Sequence, residues 1–148
     1  MTELYVVDGA RCALQGTTVD GNVSVGPSGA LEAVGVSIDG DIEADHAASV
    51  EVTGGSFVGG ALQLQDGGSA TISDSNVDGD IEWDGQGGPL VAERNIVGGN
   101  LQASSNGGGV TISGNRIDGD LECQQNSPAP DGGANSVNGD REGQCASL

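Results

Sequence analysis

The sequence predicts an all-β fold: one right-handed parallel β-helix of about seven coils, each of 19–21 residues with three short strands. Three observations carry this expectation. A five-residue string recurs along nearly the whole chain at a near-constant interval. Apolar residues fall in register between its copies, in pairs separated by one residue, which is strand and not helix periodicity. Finally, 28 of the 148 residues are glycine, well above the usual ~7 per cent, while Tyr5, Phe57 and Trp83 are the only aromatics. A thin coil needs tight turns, where glycine takes positive φ without penalty. Its narrow core holds Val, Ile, Leu and Ala more readily than rings.

The string is Val-Asp-Gly-Asn-Val at 19–23. It returns as Ile-Asp-Gly-Asp-Ile at 38–42, Val-Asp-Gly-Asp-Ile at 77–81 and Ile-Asp-Gly-Asp-Leu at 117–121, and decays to Val-Asn-Gly-Asp-Arg at 137–141. Two variants, Phe-Val-Gly-Gly-Ala-Leu at 57–62 and Ile-Val-Gly-Gly-Asn-Leu at 96–101, read as carrying one extra residue. The leading residues are then Val19, Ile38, Phe57, Val77, Ile96, Ile117 and Val137, at intervals of 19, 19, 20, 19, 21 and 20. Counting back five gives a column of Leu14, Ala33, Val52, Ile72, Val91 and Ile112; counting back seven gives Cys12, Leu31, Val50, Ala70, Pro89 and Val110. A third column follows each string: Val23, Ile42, Leu62, Ile81, Leu101 and Leu121. Polar, glycine-rich stretches such as Asp66-Gly67-Gly68-Ser69 separate the strands.

Stacked at the ~4.8 Å spacing of paired strands, seven coils make a solenoid roughly 34 Å tall with one continuous core. Right-handedness is expected because parallel crossovers within one sheet almost always take that hand. The competing architecture is a β-sandwich of irregular hairpins. One domain is expected, with residues 1–16 as a first coil, 17–134 as regular coils and 135–148 as a closing coil.

The rungs Val-Asp-Gly-Asn-Val and Gly-Asp-Leu-Glu-Cys, with the closing segment Asn126-Ser127-Pro128-Ala129-Pro130-Asp131-Gly132-Gly133 and Glu142-Gly143-Gln144-Cys145, resemble small bacterial right-handed parallel β-helix proteins of mostly unassigned function. The resemblance implies an architecture and carries no catalytic residue. The rung is also similar to that of bactofilins, cytoskeletal β-helices that polymerise end to end. Their coils are somewhat shorter, and their lysine-bearing composition is missing here.

With 22 acidic residues, four arginines and no lysine, the net charge is −18. That excludes a nucleic-acid partner, which needs basic side chains to displace phosphate counterions, and an anionic membrane surface would repel the chain. No apolar run approaches the ~20 residues of a membrane span, so no membrane insertion is expected. The start, Met1-Thr2-Glu3-Leu4, is not a signal peptide.

Cys123 and Cys145 lie 22 apart, close to one coil plus the insertion of a proline-containing loop. One coil apart in one column, two Cα atoms are within disulfide reach. A Cys123–Cys145 bond is therefore expected to pin the last coil, by about 3 kcal/mol under a loop-entropy model. The alternative is two reduced core cysteines. The bond implies an oxidising compartment, hence an extracellular or cell-surface protein in its mature form. Cys12 has no partner in the repeat and is expected as a free thiol in the first coil.

Carboxylates mark every second rung. Asp39, Asp41 and Glu43 are followed one coil later by Val58 and Gln63; Asp78, Asp80 and Glu82 by Val97, Asn100 and Gln102; Asp118, Asp120 and Glu122 close the series. Like charges then sit ~9.6 Å apart instead of ~4.8 Å, which spares the stack the repulsion of directly opposed charges. The bland reading is a solvated face. The functional reading is Ca²⁺, with Asp39, Asp41, Asp78, Asp80, Asp118 and Asp120 as candidate ligands, although two carboxylates per rung fall short of the six to eight oxygens calcium takes.

No enzyme is expected. His46 is the only histidine, in an exposed loop, and supports no triad alone. Arg94 and Arg116 read as neighbours on adjacent coils, and their nearer duty is pairing with Asp74, Glu93 or the acidic rungs. Trp83, the one candidate carbohydrate platform, is expected to point inward between Leu64 and Ala103. Thr71 and Thr111 share a column interrupted by Leu90, so no flat ice-binding threonine array forms. The expected function is a non-enzymatic secreted or cell-surface scaffold or recognition protein that self-associates through an open N-terminal coil. The alternatives are a β-helix that binds a surface glycan, a protein partner or Ca²⁺ on its acidic face, and a polysaccharide lyase or hydrolase.

Overall fold

Each coil contributes one strand to each of three parallel sheets. In the computed structural model, which describes residues 2–148, the first sheet has eight strands, running in spatial order from Leu4–Val6 through Val23–Val25, Ile42–Asp45, Leu62–Gln65, Ile81–Asp84, Leu101–Ser104 and Leu121–Gln124 to Arg141–Gly143. The second has seven, from Arg11–Gln15 to Asp131–Gly133, and the third has seven, from Thr18–Val19 to Ser136–Val137. Every neighbouring pair is parallel and separated by one coil, and no helix occurs among the described residues. The chain is a parallel β-solenoid of about seven coils with three strands per coil.

The register corrects two of the leading residues. Val58 and Val97, not Phe57 and Ile96, stand in the buried column with Val19, Ile38, Val77, Ile117 and Val137. Their intervals are 19, 20, 19, 20, 20 and 20, so the variant rungs carry no extra residue. They replace the first aspartate by glycine and place a second apolar residue ahead of the inward one. Phe57 faces Ser37 and Asn76, and Ile96, 50 % exposed, faces Asn76 and Arg116. A one-residue slip turns a side chain to the opposite face, and it carries upstream. Leu90 and Ala92 fill the core columns assigned above to Pro89 and Val91, while Val91, not Leu90, separates Thr71 from Thr111 on the outside.

The core is the set of inward columns, Leu62, Ile81, Leu101 and Leu121 among them, all fully buried. Trp83 does point inward between Leu64 and Ala103, and its buried indole N–H has no hydrogen-bond partner. Two corners are polar inside. Asn95, Asn115 and Asn135 form one ladder. The Asn95 backbone N–H donates to Asn115 Oδ1 at 2.9 Å, as does the Asn115 N–H to Asn135 Oδ1, and each Nδ2 donates to a carbonyl of an earlier coil (Ile72, Ala92, Ile112). Gln86, Asn106 and Asn126 make the second in the same sense. Corner amides sit where the backbone leaves one sheet for the next, and these side chains satisfy buried groups that would each cost about 1–3 kcal/mol unpaired.

The Cys123–Cys145 disulfide is formed, with Cα atoms 5.2 Å apart. Its geometry differs from expectation in one respect. Cys123 faces Gly143 in the register, and Cys145 lies two residues further on, in the closing turn, where it is fully buried. Cys12 is a free, half-buried thiol opposite Leu31 in the first coil. The Met1 end of the opening tetrapeptide lies outside the described residues.

Candidate functional site: the acidic face and its trough

The alternation of acidic rungs holds, with Gly59 and Gly98, one position past Val58 and Val97, as the neutral members between Asp39, Asp78 and Asp118. The second aspartate of each rung has a backbone duty. Asp41 Oδ1 accepts from the N–H of Ala61 at 2.7 Å, Asp80 Oδ1 from Asn100 at 2.7 Å, and Asp120 Oδ1 from Asp140 at 2.8 Å. Asn22 and Asn100 do the same for Asp41 and Asp120, at 2.9 and 2.8 Å. Each oxygen reaches its donor past the glycine of the next coil. A Cβ on Gly60, Gly99, Gly119 or Gly139 would run into it. The Gly-Asx pair is thus a stacking device at this corner: the side chain caps the next coil, and glycine leaves room for it.

Asp39, Asp78 and Asp118 remain exposed, and Asp118 accepts from Asn138 Nδ2 at 3.2 Å with the Arg116 guanidinium 3.7 Å away. The six candidate calcium ligands therefore divide into three caps and three solvated carboxylates. Among the described residues, the group of three potential metal ligands that does converge is Asp45, His46 and Asp66.

Beside these rungs, the outer face of the first sheet carries the column Tyr5, Ser24, Glu43, Gln63, Glu82, Gln102, Glu122 and Glu142. Glutamate and glutamine alternate, and Gln102 Nε2 donates to Glu122 Oε2 at 2.9 Å. At the last step two glutamates meet. Glu122 holds the Glu142 carboxyl above its ordinary range, through a hydrogen bond that requires a shared proton and through charge repulsion. The column at Asp45, Gln65 and Asp84 runs parallel to it. Together they line an open trough of about 560 Å³ bounded by Tyr5, Glu43, Gln65, Glu82 and Asp84.

The arginines are not neighbours in register. Arg116 faces Ile96, two positions along from Arg94. Arg94 instead forks onto Asp74, Nε to Oδ1 at 2.7 Å and Nη2 to Oδ2 at 3.1 Å, and reaches Glu93 at 3.3 Å. That pairing holds the Asp74 carboxyl below its usual range. Arg11 pairs with Glu32 at 2.7 Å.

Sequence reasoning missed Tyr5, which is 58 % exposed at one end of the trough, whereas Trp83 is buried. It also missed the asparagine ladders, although their spacings of 20 and 20, and of 20 between Asn106 and Asn126, were available. Comparison with family models, with curated proteins and with solved structures returned no match.

Proposed function

We propose that the protein is a non-enzymatic scaffold or recognition module of a secreted or cell-surface setting, and that it self-associates through its N-terminal coil. The unlike ends of the solenoid support this reading. At the last coil the apolar columns of the first two sheets stop, and only Val137 of the third continues: Arg141 faces Leu121, Gly143 faces Cys123 and Gly132 faces Ile112. Residues 144–148 then close that end. Gln144 Oε1 accepts from both Asn126 nitrogens, the Leu148 carbonyl accepts from Asn135 Nδ2, and Cys145 brings the disulfide.

At the first coil the same columns continue as Leu4, Val6, Cys12, Leu14 and Val19, and the strands Leu4–Val6, Arg11–Gln15 and Thr18–Val19 lie at the edges of their sheets. An unpaired edge backed by apolar side chains is a template for another strand. Two copies meeting at this end about a two-fold axis make a closed, isologous contact. The guarded far end stops the assembly there. The disulfide agrees with an oxidising environment, and the rung likeness to bacterial β-helices agrees with a bacterial surface.

Sedimentation velocity on the full chain tests the reading. A dimer that dissociates on dilution is expected. Cys12→Lys and Ala10→Lys, which place a charge at the open end, should give folded monomers with an unchanged far-ultraviolet spectrum. A monomeric parent chain, or a dimer indifferent to both variants, would overturn it.

The trough favours a second reading, recognition of a glycan. An exposed tyrosine ring beside alternating carboxylates and amides offers a stacking surface and hydroxyl-directed hydrogen bonds. Neutral oligosaccharides should then perturb the Tyr5 ring resonances saturably. Tyr5→Ala should abolish binding without shifting the melting midpoint by more than about 1 kcal/mol equivalent, as for an exposed substitution.

A further inference from the structure

We infer that Asn138–Gly139 is a self-modification site, where the chain converts its own asparagine to aspartate and isoaspartate and thereby loosens the closing coil. The chain has two Asn–Gly dipeptides, Asn106–Gly107 and Asn138–Gly139. In such a pair the glycine nitrogen reaches the asparagine Cγ readily, because no Cβ obstructs the approach. The Gly139 nitrogen attacks the Asn138 Cγ. The new N–Cγ bond closes a succinimide, the glycine proton passes to Nδ2, and the Cγ–Nδ2 bond breaks to release ammonia. Water then adds to one of the two ring carbonyls. Opening on one side yields aspartate; opening on the other yields isoaspartate, whose main chain runs through the former side-chain carbon. Water is the only co-reactant.

The fold separates the two dipeptides. Asn106 is buried and held from both sides of the stack. Its Nδ2 donates to the Trp83 carbonyl at 3.3 Å and to Asn126 Oδ1 at 2.9 Å, its N–H donates to Asn126 Oδ1 at 3.1 Å, and its carbonyl accepts from the Ser127 N–H at 2.9 Å. Asn138 and Gly139 are exposed, in the last coil, where among the described residues their hydrogen bonds run back to the preceding coil alone. The Asn138 N–H donates to the Ile117 carbonyl and the Gly139 N–H to the Gly119 carbonyl, each at 2.9 Å, and Asn138 Nδ2 donates to Asp118 Oδ1 at 3.2 Å. An outermost rung opens at lower cost than an inner one, and opening frees the attacking nitrogen. The products then fit badly. Aspartate at 138 faces the like charge of Asp118 on the adjacent coil. Isoaspartate adds a backbone carbon ahead of Asp140, whose N–H donates to Asp120 Oδ1, and ahead of the strand Arg141–Gly143, which pairs with Leu121–Gln124. The added length breaks that register, while the disulfide keeps the loosened segment attached.

The test ages the folded full chain, its disulfide intact, in mildly alkaline buffer beside the same chain unfolded in urea. Conversion at each asparagine is read by tandem mass spectrometry that distinguishes isoaspartate from aspartate. In urea the two dipeptides should convert at similar rates. In the folded chain Asn138 should convert steadily and Asn106 at roughly a tenth of that rate or less, since each hydrogen bond that must open is worth up to about a factor of ten. Amide exchange of Arg141–Gly143 should quicken in the aged chain and stay slow in aged Asn138→Gln, whose longer side chain closes the ring far more slowly. Fresh Asn138→Gln should exchange like the fresh parent, which separates ageing from a damaged fold. An Asn138 that stays intact in the folded chain while it converts in urea, or equal folded-chain rates at the two dipeptides, would overturn the site. Conversion with unchanged exchange would overturn its effect on the closing coil.

Discussion

At the scale of single residues, the side chains that matter most are not the ones most exposed. Asn115 holds four partners: its Oδ1 accepts from both Asn95 nitrogens, and its Nδ2 donates to the Ala92 carbonyl and to Asn135 Oδ1. Asn115→Ala strands the Asn95 N–H and the Ala92 carbonyl in a dry corner, and urea unfolding should show a loss of about 3 kcal/mol. Glu142 works in the opposite direction. Its carboxyl is raised by Glu122 in the folded chain, so the folded state binds more protons than the unfolded one as pH rises from the ordinary glutamate range through the raised value. Stability falls across that window. The destabilisation is absent below the unfolded value and complete above the folded one. Glu142→Gln restores the glutamate–glutamine alternation and should flatten this fall, raising the melting midpoint at neutral pH with little change at pH 3. An equal shift at both pH values would contradict the assignment.

At the scale of the strand and turn, the repeat was legible because it obeys two simple constraints, a period of 2 within strands and a fixed step between coils. The assignment slipped only at Phe57 and Ile96, where two apolar residues precede Gly-Gly and hydrophobicity cannot say which faces in. The neighbouring glycine decides it. The Asx of one coil needs a Cβ-free position in the next at Gly40, Gly60, Gly99, Gly119 and Gly139, and Gly79, after Ala61, packs as closely on the Gly60 carbonyl, so this glycine column is the true register mark. Gly99→Ala drives a Cβ against Asp80 Oδ1 and the Gly79 carbonyl, whereas Gly107→Ala meets nothing within 4 Å. The first should cost about 1–3 kcal/mol in denaturant unfolding, as overpacking does, and the second should be close to neutral. The acidic face was legible as a pattern but not as a division of labour, since only backbone geometry separates the capping Asp41, Asp80 and Asp120 from the exposed Asp39, Asp78 and Asp118. The disulfide partners were readable from spacing alone, although Cys145 joins from the closing turn. Reducing it should lower stability by about 3 kcal/mol and first loosen the last coil, where hydrogen exchange of the Asn126 and Asn135 amides reports it.

At the scale of the whole molecule, a net charge of −18 sits on a stack whose Asp39, Asp78 and Asp118 rungs lie two coils apart, while Glu122 and Glu142, like Glu32 and Glu51, face each other on adjacent coils. With one carboxylate of each rung already capping backbone, the expected response to salt is screening. Calcium, magnesium and sodium chlorides at matched ionic strength should raise the melting midpoint equally. A calcium-selective rise would instead place ligands on the Asp39, Asp78 and Asp118 rungs. The other property of the whole is its polarity: one end is closed by a disulfide, two completed ladders and a polar edge, while the other carries its apolar columns to the last strand. The most direct test of association through that open end is small-angle X-ray scattering over a concentration series. End-to-end pairing requires the long dimension to grow by about one solenoid length, roughly 34 Å, with the cross-section unchanged. A long dimension that stays constant at every concentration, or a particle that grows in cross-section instead, would contradict it.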